Sequence, residues 1–185
     1  MDSKPNKKEV RAWIKRELLQ IQNRKNLENQ VCQRLINLIG KEKKVILYKA
    51  DKYEVDLEYL VVESSMNCYY FPKIISMEDK SLEFIKPQSW ELGPYSIWQP
   101  IGNESILPKE ADLCIVPALG FNKKGYRLGR GGGFYDRNLS EVSSDRLIGV
   151  SFSDTFPVNF QEDSYDIRVG IVVLENRLVT FDTSI

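Results

Sequence analysis

The chain of 185 residues contains no histidine. That excludes a Ser-His-Asp or Cys-His catalytic pair, a His-Glu-x-x-His zinc site and any histidine general base. Chemistry has to run on carboxylates, lysine, arginine, tyrosine, backbone dipoles and hard, oxygen-bound metal ions. Cysteine is scarce: Cys32, Cys68 and Cys114 lie among apolar neighbours and form no Cys-x-x-Cys pair, the pattern of core thiols in a reducing, cytoplasmic setting. No apolar run approaches membrane length and charges interrupt the start of the chain, so neither a membrane span nor a signal peptide is expected. There is no excess charge either: 26 Lys and Arg balance 26 Asp and Glu, which removes any overall pull toward nucleic acid or membrane. A local bias remains, since the first 44 residues hold twelve Lys and Arg against five Asp and Glu, but a small anionic ligand accounts for it as well as RNA would. Linkers, low-complexity tracts and internal repeats are absent. With 185 residues, 42% of them apolar, the chain is expected to fold as a single domain over residues 1–185; composition does not set the oligomeric state, for which a monomer is the expectation.

Periodicity sets out the elements. Asn6-Lys7-Lys8-Glu9 has the form of a capping box, and a helix to about Asn23 should bury Val10, Trp13, Ile14, Leu18 and Ile21. Lys7 and Arg11 fall on or beside that stripe, where a cation needs either a partner or room to snorkel; the spacing allows both. A second amphipathic helix, Leu27 to Ile39 with Gly40 as its stop, reads as packing alone. Lys44 to Tyr48, Asn67 to Ile75, Leu82 to Lys86, Leu113 to Leu119, Arg146 to Phe152 and Ile171 to Glu175 read as strands, with helices near Leu57 to Glu63 and Phe134 to Ser143. Glu54 and Asp56, just ahead of the former helix, suit simple capping. Alternating helices and apolar strands define an α/β fold, a three-layer domain with a mostly parallel sheet covered by helices on both faces.

The most specific stretch is Gly125-Tyr126-Arg127-Leu128-Gly129-Arg130-Gly131-Gly132-Gly133-Phe134-Tyr135-Asp136-Arg137. Five glycines in nine residues let successive backbone N–H groups point into one concavity, and Arg127 and Arg130 add fixed positive charge, so the loop reads as a phosphate cradle. It is not a P-loop: Gly120 and Gly125 have the glycine spacing, but Tyr126 and Arg127 stand where Lys and Ser or Thr are required. Nor is it the dinucleotide-binding glycine pattern, because no short strand-to-helix turn precedes it.

The segment from Asp112 to Pro117, with Gly120-Phe121 and Gly125 to Arg137, resembles the signature of the 5-formyltetrahydrofolate cyclo-ligases, also called methenyltetrahydrofolate synthetases. The resemblance runs from Lys7 to Glu175. It implies ATP-dependent closure of 5-formyltetrahydrofolate to 5,10-methenyltetrahydrofolate, with ATP as co-substrate and Mg²⁺ as metal, and no nucleic-acid partner. It also implies site roles. Lys7, Arg11, Arg127, Gly129, Arg130, Gly131, Gly132, Gly133, Phe134, Tyr135 and Asp136 match the nucleotide site, with Arg130, Lys7 and Tyr135 acting in catalysis. Lys49, Glu54, Trp90, Phe134 and Tyr135 match the folate side, and Asp166 with Asp136 the metal. The chain departs from the family pattern at Leu57, Gln99, Asn122, Tyr165, Gly170 and Leu174, and has Phe134 in place of a first tyrosine. Two other readings compete: a non-catalytic relative binding RNA or a phosphorylated ligand, and an ATP-using enzyme acting on another amide or formyl group.

Overall fold

The computed structural model describes residues 6–182. Helix α1 (Lys7–Gln20) starts at Asn6, whose Oδ1 accepts the Lys8 N–H at 2.9 Å. Val10, Ile14 and Leu18 are buried as expected, but Trp13 is 44% exposed. At 3.6 residues per turn it lies about 100° from the line through those three, too far round to share their contacts. Helix α2 (Arg24–Ile39) begins at Arg24 rather than Leu27, and it is more than packing. The Arg24 guanidinium bonds Glu28 at 2.9 Å, the Leu18 carbonyl at 2.9 Å and the Glu54 carbonyl at 2.6 Å, so the start of α2 fixes the backbone at Glu54. Gly40 ends α2 with φ +75°, its N–H bonded to the Ile36 carbonyl at 3.2 Å.

The remaining elements are β1 (Lys44–Ile46), α3 (Glu58–Glu63), β2 (Cys68–Ser76), β3 (Ser81–Ile85), β4 (Ser89–Leu92), β5 (Trp98–Ile101), β6 (Ser105–Ile106), β7 (Leu113–Val116), β8 (Gly120–Phe121), β9 (Arg127–Leu128), α4 (Phe134–Asn138), β10 (Leu147–Val150), β11 (Ile171–Val173) and β12 (Leu178–Thr180). Eight strands form the main sheet in the order β12-β11-β10-β7-β1-β2-β3-β6. Its five inner strands, β11 to β2, run parallel; β12 at one edge and β3 and β6 at the other are antiparallel. The outermost strands β12 and β6 and the hairpins β4–β5 and β8–β9 were not expected, because short strands carry too little periodicity to be read. Alternation along the inner strands builds two cores. Val45, Leu47 and Ile115 face α1, α2 and α3, while Ile46, Cys114 and Val116 face the side holding Leu139, Val142 and Phe121. Helix α4 ends sooner than expected, where fully buried Leu139 turns the chain into this second core. Among the described residues, no helix is long and apolar enough to cross a membrane.

From β1 the chain winds outward one way through β2, β3 and β6; it then returns to β7 on the other flank of β1 and winds outward through β10 and β11. The strand order therefore reverses between β1 and β7. In open α/β sheets the crevice beyond the carboxyl ends of strands at such a reversal is where ligands bind.

Candidate active site

A cavity of about 460 Å³ opens at that reversal. Tyr48 and Lys49 follow β1 into its lining, and Pro117 and Ala118 follow β7. One wall is charged or backbone-rich, built from Glu54, Arg127, Arg130 and the loop Gly129 to Gly133. The other is apolar, built from Pro72, Ile74, Leu82, Ile97 and Trp98.

The glycine-rich stretch divides into parts with different work. Gly125 closes the tight turn of the β8–β9 hairpin, where its N–H bonds the Asn122 carbonyl at 3.1 Å, and so stands outside the cradle. The cradle is Gly129 to Gly133, leading into α4. Gly131 at φ +102° and Gly133 at φ +74° hold backbone shapes that a side chain would strain. Beneath it lies Arg127. Its Nε and Nη2 donate to Asp136 at 3.0 and 2.6 Å, its Nη1 donates to the Pro117 carbonyl at 3.0 Å, and only 5% of it is exposed. A Cβ on Gly129 would lie 2.9 Å from that Nη1, so the glycine lets the loop rest on the guanidinium. Three of its five N–H donors thus support the loop from below, and the side chain also lines the cavity. Asp136 holds that guanidinium in turn: both its oxygens accept from Arg127, and Oδ1 also takes the Ile167 N–H at 3.3 Å.

Helix α1 carries Lys7 and Arg11, one turn apart, to different partners. Arg11 Nε donates to the Gly129 carbonyl at 2.8 Å, and its guanidinium carbon lies 3.7 Å from where a Gly131 Cβ would stand. Lys7 Nζ bonds Asp163 at 2.6 Å and Asp166 at 2.5 Å. Burial alone would lower the pKa of Lys7, but the bonds to these carboxylates outweigh it and hold the ammonium above the ordinary lysine value; the same bond to Lys7 keeps Asp163 below its own. Asp163 was not foreseen. The third cation, Arg130, is ion-paired to Asp51 and, at 3.1 Å, to Glu54. Asp51 was also missed: 79 positions separate it from Arg130, and only its spacing to Glu54, whose Oε2 accepts the Asp51 N–H at 3.1 Å, marked it.

Burial pushes the Glu54 carboxyl above its usual range against the downward pull of Arg130. It also pushes the phenols of Tyr48 and Tyr135 well up, Glu54 adding to the effect, so both stay neutral. Phe134 and Tyr135 line the cavity, and the Arg127 guanidinium sits 5.5 Å from the centre of the Tyr135 ring. Trp90 lies off the cavity: it stands edge-on to Phe71 with centroids 5.0 Å apart, and Lys49 Nζ lies 5.4 Å over its ring. The lining tryptophan is Trp98, across the β4–β5 hairpin. The Gly93-Pro94 turn signal between the two was the available clue.

Packing and hydrogen bonding account for four of the departures. Leu57 and Leu174 are buried in the cores. Asn122 accepts the N–H groups of Lys124 and Tyr126 at 2.9 and 3.1 Å and donates to Glu162 at 3.2 Å, a donation that an aspartate could not make. A Cβ on Gly170 would meet the Ser144 carbonyl oxygen at 2.6 Å and Asp145 Cα at 3.0 Å, both backbone. Gly170→Ala should therefore cost about 1–3 kcal/mol, read as a lower urea midpoint. An unchanged midpoint would mean that the 144–146 turn shifts freely.

A mostly parallel sheet whose reversal point carries a cavity, with a glycine-rich, cationic wall on one side and an apolar wall on the other, defines a doubly wound α/β protein. The chain belongs to the 5-formyltetrahydrofolate cyclo-ligase family, and is thereby an enzyme: the family profile matches residues 3–162. It is 27% identical over 168 residues to the 5-formyltetrahydrofolate cyclo-ligase of Mycoplasma pneumoniae, covering 86% of this chain and 91% of that one. With the Haemophilus influenzae protein of the same name it shares 32% identity over 135 residues, 68% of this chain and 72% of the relative. The solution structure of Aquifex aeolicus 5,10-methenyltetrahydrofolate synthetase superposes with a TM-score of 0.79 at 27% identity, covering 94% of this chain and 92% of the other.

Proposed function

We propose that the protein converts 5-formyltetrahydrofolate and MgATP to 5,10-methenyltetrahydrofolate, ADP and phosphate. The formyl oxygen attacks the γ-phosphorus and ADP leaves; N10 then forms the new C–N bond at the activated carbon, the C–O bond breaks with its electron pair going to phosphate, and the N10 proton is released. Such phosphoryl transfer asks the protein chiefly for positioning and charge neutralisation, which suits a site without histidine. The observation that carries this reading is the Gly129–Gly133 loop, with Arg130 in it and Arg11 bonded to it, at one side of a cavity whose other side is apolar and aromatic, while Lys7 stands one turn before Arg11 on α1.

In this reading Lys7, Arg11, Arg130 and the N–H groups of Gly131, Gly132 and Gly133 bind phosphate oxygens, with Arg127 holding the loop in shape. Glu54, Lys49, Phe134 and Tyr135 face the folate, together with Trp98. Among the described residues no cluster of three or more ligating side chains exists. The adjacent carboxylates of Asp166 and Asp163 nevertheless fit magnesium, which is commonly held by one or two carboxylates plus substrate phosphates and water. Asp136 supports the same turn through the Ile167 N–H. When bound, the ion would neutralise phosphate charge.

The test is an assay with 5-formyltetrahydrofolate and MgATP that follows methenyl product by absorbance and ADP in the same tube. Equal amounts of both are expected. ADP without methenyl product would point to another acceptor, and neither product from folded protein would overturn the proposal.

Glu54→Gln should raise the KM for folate at least several-fold while leaving the KM for ATP near its original value; a raised KM for ATP alone would remove Glu54 from the folate side. The effect on stability has a definite sign. Because the folded pKa of Glu54 is raised, the stability of its neutral form is fully present below the unfolded value of about 4.3 and is lost as pH rises through the folded pKa. Glutamine does not ionise, so the variant should melt no lower than the wild type at neutral pH.

A further inference from the structure

Gln99 on β5 is only 5% exposed, yet it lines the cavity. Its side-chain carboxamide makes no hydrogen bond among the described residues, and neither its oxygen nor its nitrogen is sealed away. The stem is held flat against the β4–β5 turn. A Cβ on Gly93 would fall 2.3 Å from Gln99 Cδ and 2.6 Å from Nε2, so glycine leaves the space the side chain fills. The surrounding wall is Pro72, Ile74, Leu82, Ile97 and Trp98, and Gln99 is the one carboxamide in the lining.

A buried amide facing an apolar wall is costly unless the occupant of the cavity pairs with it. A carboxamide offers one acceptor and one donor side by side. Its complement is a planar group with N–H and C=O on the same edge, which a ring lactam has and an open trans amide does not. We propose that Gln99 recognises the lactam edge of the ligand's fused ring, accepting its N–H at Oε1 and donating from Nε2 to its carbonyl. This rests on the folate reading, in which the pterin supplies that edge. Gln99 is then a positioning residue that sets the ring's orientation between the apolar wall and the cradle, and it does not touch the phosphates.

The experiment measures Kd for 5-formyltetrahydrofolate and, separately, for MgATP with wild type, Gln99→Met and Gln99→Glu. Methionine keeps the length and the packing on Gly93 without polar atoms, and glutamate keeps the shape but replaces the donor by an acceptor. Both variants are expected to bind folate about ten-fold or more weakly, equivalent to about 1.4 kcal/mol, with unchanged MgATP affinity and melting temperature. Wild-type folate affinity in Gln99→Met would overturn the inference, as would wild-type affinity in Gln99→Glu, which would show the donor to be unused. Equal weakening of folate and MgATP with a lower melting temperature would also overturn it, by assigning Gln99 to packing. Failure of the wild type itself to bind folate would instead remove the functional reading on which the inference stands.

Discussion

Replacing Arg130 with alanine is expected to lower kcat by about 10²-fold or more, the scale on which loss of one preorganised charge stabiliser acts in the transition state. Arg130 suits that work because its side chain is one-third exposed at the cavity while anchored at its tip by Asp51 and Glu54. The anchoring has a second consequence. Glu54 is already pushed up by burial, and Arg130 is the charge that pulls it back, so Arg130→Ala should raise its pKa further and move the acid limb of kcat/KM to higher pH. Arg130→Lys keeps the charge without the planar fork and should fall between wild type and alanine. Steady-state kinetics across pH read both effects. An unchanged kcat would place the guanidinium away from the reacting phosphate.

Arg127→Ala is expected to act on stability first. The substitution removes three donors at once and leaves the mostly buried Asp136 carboxylate without its cation, a loss of about 3–5 kcal/mol in the usual range for one broken partner of a buried pair. Equilibrium urea unfolding measures it directly. The double variant Arg127→Met, Asp136→Leu should recover part of the loss, since it removes the stranded charge as well. A loss below about 1 kcal/mol for the single variant would mean that solvent reaches Asp136 and that the clamp does not hold the loop. Because Gly129 rests on Arg127, what folded protein remains should also bind MgATP more weakly.

The contrast between these two arginines marks where the sequence stops informing. Both belong to one glycine-rich stretch and both read as phosphate contacts there. In the folded chain Arg127 turns under the loop to Asp136 and Arg130 reaches out to Asp51 and Glu54. Trp90 and Trp98 show the same limit on a hairpin too short to show its pairing. Lys7 is the converse. Its place beside the apolar stripe of α1 allowed either a partner or a snorkelling side chain, and the structure supplies two carboxylate partners 156 and 159 positions away.

The sequence by itself determined what depends on near neighbours. The absence of histidine limited the chemistry, the helical period chose Val10, Ile14 and Leu18 for the core, Gly40 stopped α2, and the glycine spacing marked the loop that borders the cavity. Tertiary structure alone decided which distant groups meet: the strand reversal between β1 and β7 that opens the cavity, the support of Glu54 by Arg24, the division of labour between Arg127 and Arg130, and the unpaired Gln99 amide on the apolar wall. The physical reason is range. Backbone torsions and side-chain periodicity are set within a few residues, whereas ion pairs and cavity walls are set by sheet order, which brings together residues that no local pattern connects.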